Sequence, residues 1–260
     1  MSDRGLPERA RRALAAIFAP FDEVFAALDE LRDAVLRLDA EAQRAARRLA
    51  REDAAGLRAL LLHDLGEHQP LVAGIGAVFA PGALADTPRW LEWYWRRSPG
   101  SEPTSLVLPL DPAFEDFYDY ERSAWFSQPR DTGARSIVGP HVDHGATRQH
   151  LVTPCTPITT ADGRFLGVAA ADLRVSEIEP IVLRRLRELG EPSALVNADG
   201  RVIASNTSGW VAGALIRDRR SPPVVTAETP EWSESGPVAF ARHPSYPWAL
   251  AIERAHVAVR

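Results

Sequence analysis

Between Pro20 and Arg51 the chain contains no internal Gly or Pro, and Ala, Leu, Arg and Glu dominate. Such a stretch favours one long helix over any other local structure. Leu28, Leu31, Val35, Leu38, Ala42, Ala45 and Leu49 recur at alternating three- and four-residue steps. They form a single narrow apolar stripe on a helix of roughly 45 Å at 1.5 Å per residue. Two readings of the stripe stay open. It is a seam for a second copy of the chain, with coiled-coil spacing, or it is the face this helix lays along its own domain.

Everything that follows must be compatible with a long helix, and its patterning is different. Gly56 interrupts the helical pattern, and Leu57 to Leu65 predicts a short second helix stopped at Gly66. From there the runs are β-type. Leu71 to Phe79, Trp90 to Arg97, Ser105 to Leu110, Leu151 to Pro157 and Phe165 to Leu173 predict strands, the last two joined by a turn at Ala161-Asp-Gly163. Ser176 to Leu189 predicts a helix with Ser176 as N-cap and Gly190 as its stop. A smaller β pattern then restarts: Ser193 to Asn197 and Val202 to Ser205 around Asp199-Gly200, then Pro237 to Arg242 and Trp248 to Glu253. The expected class is α+β. The expected division is a helical segment 1–68, a first subdomain 69–190 and a second, smaller subdomain 191–260.

Composition narrows the function classes. The chain has 260 residues, a formal net charge of −5 and interspersed charges. No basic block is interleaved with aromatics, so nucleic acid is not an expected partner. The single cysteine, Cys155, forms no intrachain disulfide and no thiolate metal cluster. Arg4, Glu8, Arg9, Arg11 and Arg12 resemble a signal n-region, but the Ala-rich stretch after them is broken by Pro20 and Asp22. No run is apolar enough to span a bilayer. A cytoplasmic location is expected.

An ordered series of short elements then carries a resemblance. Gly74-Ile-Gly-Ala-Val-Phe79 is followed by Arg122-Ser-Ala-Trp125-Phe126 and Gly139-Pro-His-Val-Asp143. Next come Leu151-Val-Thr153, Pro157-Ile158 and the strand Gly163 to Asp172, and Ala194 to Asn206 completes the set. The series resembles a double Cache domain, the PAS-like sensor module of many bacterial receptors. The resemblance implies a long N-terminal helix with two PAS-like antiparallel-sheet subdomains, a ligand pocket in the first, and no catalysis or cofactor. It also implies a separate output protein, because no effector segment is recognisable here. Three positions depart from the family pattern. His141 stands where Tyr is usual, Arg122 and Trp125 are separated by two residues rather than one, and Phe126 replaces a Tyr.

The candidate ligand-binding residues are Tyr94, Tyr118, Tyr120, Arg122, Trp125, Phe126, His141, Asp143 and Asp172. Arg122 is a permanently charged fork suited to a carboxylate, or else a surface ion pair with Asp119 or Glu121. Trp125 and Phe126 offer apolar walls, of which one faces the pocket if they share a strand. Asp143 and Asp172 are the anionic partners for an ammonium, and burying Asp172 at the end of an apolar strand demands a donor. Tyr118 and Tyr120 share a face if that segment is extended. Together these favour an amino acid or related amine. Two alternatives are an interaction module using the helical stripe, and a metal site built on His141, Asp143 and His144. Gly74 and Gly76 form a lone G-x-G, for which close backbone packing in a strand is a commoner reason than phosphate binding.

Overall fold

The computed structural model describes residues 7–216, 232–235 and 238–253. Arg4 of the signal-like segment and Pro237 of the predicted strand lie outside the described residues. The chain divides into two compact units, one of residues 21–177 and the other of residues 1–20 with 178–260.

Helix α1 runs from Glu8 to Arg44, with Pro20 inside it rather than at its start. An internal proline forfeits one backbone hydrogen bond and crowds the preceding turn. Burial on both sides of it outweighs that cost: Leu14, Ile17, Phe18, Phe21, Val24 and Phe25 are all nearly inaccessible to solvent. Leu28, Leu31, Val35 and Ala42 continue the stripe and are fully buried within the single chain. Leu38 is half-buried, Ala45 is exposed, and Leu49 is buried beyond the end of the helix. The stripe is thus largely buried within the single chain, which leaves the expected homodimer seam through Leu28, Leu31, Val35, Leu38 and Leu49 without support. Its polar neighbours are fixed as well. Asp39, 3% exposed, accepts hydrogen bonds from Arg164 Nη2 at 2.7 Å and Gln43 Nε2 at 2.6 Å.

Two short helices follow, α2 (Arg51–Ala55) and α3 (Arg58–Glu67). Gly66 lies in the last turn of α3, and a Cβ there would meet nothing within 4 Å. Gly66→Ala should therefore stabilise the protein by about 0.5–1 kcal/mol, through the unfolded chain's lost freedom. Urea denaturation checks this, and a loss of stability would mean that α3 needs the glycine's backbone.

The first unit's sheet has six strands: β1 (Val72–Phe79), β2 (Trp90–Trp95), β3 (Thr104–Ser105), β4 (Ser136–Val142), β5 (His150–Thr159) and β6 (Phe165–Arg174). Their spatial order is β3-β2-β1-β6-β5-β4, with every pairing antiparallel. The predicted strand over Ser105 to Leu110 shrinks to two residues. Beyond them Leu106, Leu108 and Leu110 pack against the core while Val107 is 86% exposed. The alternation is real, but Pro109 has no donor to offer a ladder. A short 3-10 turn at Tyr120–Arg122 leads into helix α4 (Ala124–Thr132), which the sequence reading missed.

Helix α5 (Val175–Leu189) follows β6 directly, so Ser176 lies inside the helix and does not cap it. Gly190 ends it at φ 79°, as expected. The second unit's sheet comprises β7 (Ser193–Val196), β8 (Val202–Ser205), β9 (Trp232–Ser235), β10 (Val238–Arg242) and β11 (Ala249–Glu253), in the order β8-β7-β11-β10-β9. Asn206 ties this sheet to α5. Its Nδ2 donates to Leu186 O at 2.8 Å and Glu191 O at 3.0 Å, and its Oδ1 accepts from Ser193 N at 2.7 Å. Phe18 stacks on Tyr246 at a centroid distance of 4.4 Å, which fixes the first turns of α1 in this unit.

Candidate functional site

In an antiparallel ladder, residues directly opposite one another point to the same side. Gly76 faces Trp93 on β2 and Ala170 on β6, Gly74 faces Asp172, and Ala170 faces Cys155. One side of the first sheet is therefore built of Leu91, Trp93, Val78, Val168, Ala170, Cys155 and Asp172. The G-x-G of β1 is where Trp93 lies down: a Cβ at Gly74 would come within 2.6 Å of the indole Nε1. The packing explanation for these glycines holds.

The segment between β3 and α4 covers this side of the sheet. Leu106 N donates to Trp93 O at 2.9 Å, and Tyr118 N to Pro109 O at 2.8 Å. Tyr120 is fully buried, and its hydroxyl donates to Phe79 O at 2.7 Å. Beneath this cover is a pocket with about 460 Å³ of empty space, its mouth included.

Six of the nine predicted residues line it: Tyr118, Tyr120, Trp125, His141, Asp143 and Asp172. Three do not, each for a local reason. Arg122 ends the 3-10 turn that sends Tyr120 inward, so its own side chain is 89% exposed and pairs with Asp119 at 3.1 Å. Trp125 and Phe126 are on a helix, not a strand. Only Trp125 reaches the pocket, while Phe126 is buried in the core against Tyr120 and Phe165. Tyr94 neighbours Trp93 on β2 and so points to the opposite side, where Arg58 lies 5.8 Å from its ring centre.

The sequence reading missed Trp93, Leu91, Val78, Leu106, Leu108, Ala146 and Thr153 as lining residues. A signal for Trp93 existed. Two glycines spaced i, i+2 in a buried strand leave room for one flat aromatic on the neighbouring strand.

The electrostatics centre on two acids. Thr153 Oγ1 donates to Asp172 Oδ1 at 2.8 Å. Burial pushes the Asp172 carboxyl up to about 7; the Thr153 hydrogen bond works against this and the charge of Asp143 adds to it. Asp143 is held by its own turn, where Oδ2 accepts from Thr147 N at 2.8 Å and Thr147 Oγ1 at 2.9 Å. His141 follows an irregularity in β4 at Gly139 (φ 129°), which turns its ring to the pocket. Burial lowers the His141 value, with Asp143 opposing and His150 reinforcing. Tyr118 is raised by burial and then by Asp143 and Asp172, against a hydrogen bond with Trp125. Cys155 is raised by burial and by Asp172, with Ser136 opposing, and stays a thiol.

His144 is exposed while His141 faces the pocket, and among the described residues no group of three His, Cys, Asp or Glu side chains could hold a metal ion. The His141-Asp143-His144 metal alternative therefore has no converging geometry. Among the described residues no helix is long and apolar enough to cross a membrane.

A two-unit chain with a long N-terminal helix, antiparallel sheets and a roofed pocket on the first sheet has the fold of Cache-type ligand-sensing domains. Three solved structures show the likeness. The ligand-binding domain of the Pseudomonas fluorescens chemoreceptor CtaA, in complex with L-valine, is 15% identical with a TM-score of 0.58, covering 96% of each chain. The ligand-binding domain of the Pseudomonas aeruginosa amino acid chemoreceptor PctB, in complex with L-Arg, is 17% identical with a TM-score of 0.58, covering 97% of this chain and 95% of that one. The extracellular domain of the putative histidine kinase mmHK1S-Z3 is 14% identical with a TM-score of 0.59, covering 93% of this chain and 92% of that one. No protein-family model and no curated protein matches the chain.

Proposed function

We propose that this chain is a non-enzymatic sensor domain whose first-sheet pocket takes a small amine-bearing metabolite, an amino acid or a related amine, and that a separate output protein reads the result. The observation that carries this is the pair Asp143 and Asp172 in a pocket walled by Trp93, Trp125, Tyr118 and Tyr120. Acids in an aromatic pocket suit an ammonium, through ion pairing and through the negative faces of the rings. Asp172 in particular has no cationic partner among the residues lining the pocket, and an ammonium would supply one. The structural neighbours that bind L-valine and L-Arg are sensor domains with the same fold, which supports a sensing role. A ligand shifts such a domain only by binding one of its conformations better than another, which roofing the pocket with the Leu106–Trp125 segment allows.

A thermal-shift screen against amino acids, amines, carboxylates and purines tests the reading. A rise in Tm with amine-bearing compounds alone is expected. Arg122→Ala should leave that rise unchanged, because the Arg122 side chain faces solvent. A response confined to carboxylates, or one lost in Arg122→Ala, would overturn it.

A further inference from the structure

The pocket's charge is one-sided. Among its lining residues there are two carboxylates and no Lys or Arg. Asp172 Oδ1 is taken by Thr153 and Asp143 Oδ2 by Thr147, which leaves one oxygen on each acid open to a ligand. The hydrogen-bond donors on the wall are all neutral, and most are engaged. The Tyr120 hydroxyl is used on Phe79 O, the Thr153 hydroxyl on Asp172, and Tyr118 and Trp125 interact with each other.

Two buried nitrogens on the wall are left without a partner, His141 Nδ1 and Trp93 Nε1, and of these the indole is a donor only. Trp93 is 5% exposed, and its indole N–H has no hydrogen-bond partner. That nitrogen lies over Gly74, which is the register partner of Asp172. A buried N–H without a partner is destabilising, so a ligand acceptor placed there would relieve a standing penalty.

Resting on the sensor reading above, we infer that the pocket's ligand is a small amine without a carboxylate, its ammonium held between Asp143 and Asp172 and a neutral oxygen or nitrogen acceptor taking the Trp93 N–H. A ligand carboxylate would enter a half-buried space that already holds two acids and offers no cation to neutralise a third. It would also meet the negative faces of the rings that favour the ammonium. A hydroxyl, ether, amide or ring nitrogen has no such cost, and a single neutral N–H matches it. The specificity against amino acids is thus built from a missing arginine as much as from the acids present.

The experiment is isothermal titration of the whole chain at pH 8 with matched pairs that differ only by a carboxylate: histidine and histamine, tyrosine and tyramine, lysine and cadaverine. The corresponding amino acid amides complete each set. In at least one pair the amine should bind about tenfold tighter or more than its amino acid, and the amide should recover most of the difference. Trp93→Phe keeps an aromatic ring and removes the N–H. It should weaken an acceptor-bearing amine by about tenfold more than it weakens a plain alkylamine. Amino acids binding as tightly as their amines would overturn the inference and leave the sensor reading standing. Failure of every amine, amino acid and amide to bind would overturn both.

Discussion

Replacing Asp172 with Asn should make the ligand-free protein more stable at pH 8 and should abolish its response to amines. The two effects have opposite signs and one cause. In the folded protein the Asp172 carboxyl lies at about 7, against an ordinary 3.8, because burial disfavours its charge. Between those values the native state holds a proton that the unfolded chain has already released. Stability therefore falls as pH rises through that window and levels off above pH 7. The accumulated penalty is on the order of 2–4 kcal/mol, at about 1.36 kcal/mol for each pH unit the window spans, discounted for the pocket's opening to solvent. Asn carries no charge and still accepts the Thr153 hydroxyl, so it relieves the penalty without leaving that donor orphaned. Urea denaturation of the two proteins at pH 4 and pH 8 checks this. The curves should nearly coincide at pH 4, and Asp172→Asn should be the more stable at pH 8. A less stable variant at pH 8 would show that the Asp172 charge is already compensated in the empty pocket. Amine affinity of the parent protein should rise with pH up to about 7 and then flatten, since the ammonium binds the ionised acid.

Gly76→Ala should cost at least about 3 kcal/mol, at the upper end of what overpacking produces. The added Cβ would stand 2.3 Å from Glu92 O and 2.7 Å from Trp93 Cα. Both atoms are backbone of the strand paired with β1, so no side-chain rotation relieves the clash and the β1–β2 ladder must open. Trp93 would move with it, and the pocket would lose one wall. Urea denaturation together with near-ultraviolet circular dichroism measures both consequences. A cost below about 1 kcal/mol, with the tryptophan signal unchanged, would show that the two strands separate easily and that Trp93 is not held by the glycines.

Much of this architecture is legible in the chain. β1, β5 and β6 are apolar runs bounded by turn residues, and they appear within a residue or two of where the pattern puts them. α5 stops at Gly190 because only glycine adopts that backbone readily. Helix α1 is harder, because Pro20 reads as a start. It lies in mid-helix since Leu14, Ile17 and Phe18 before it and Phe21, Val24 and Phe25 after it are all buried. Propensity gives way to tertiary burial there. The stripe on α1 has the same ambiguity in kind: its spacing says that one face is covered, and folding of the single chain says by what.

The site divides along the same line. The sequence by itself determined that Asp172 is an acid at the end of an apolar run, that Asp143 is a second acid in a Gly-Pro-His-Val-Asp stretch, that aromatic residues cluster between 118 and 126, and that two glycines mark a close approach on β1. These are properties of residue type and local spacing. Only the tertiary structure decided which of those residues share a space. Arg122 turns outward because it ends a 3-10 turn, Phe126 sinks into the core because it is one step along a helix from Trp125, and Trp93 enters from a strand much earlier in the chain. Which side of a short element a side chain takes depends on one residue of register. That register is fixed by packing against distant strands, and no local pattern carries it.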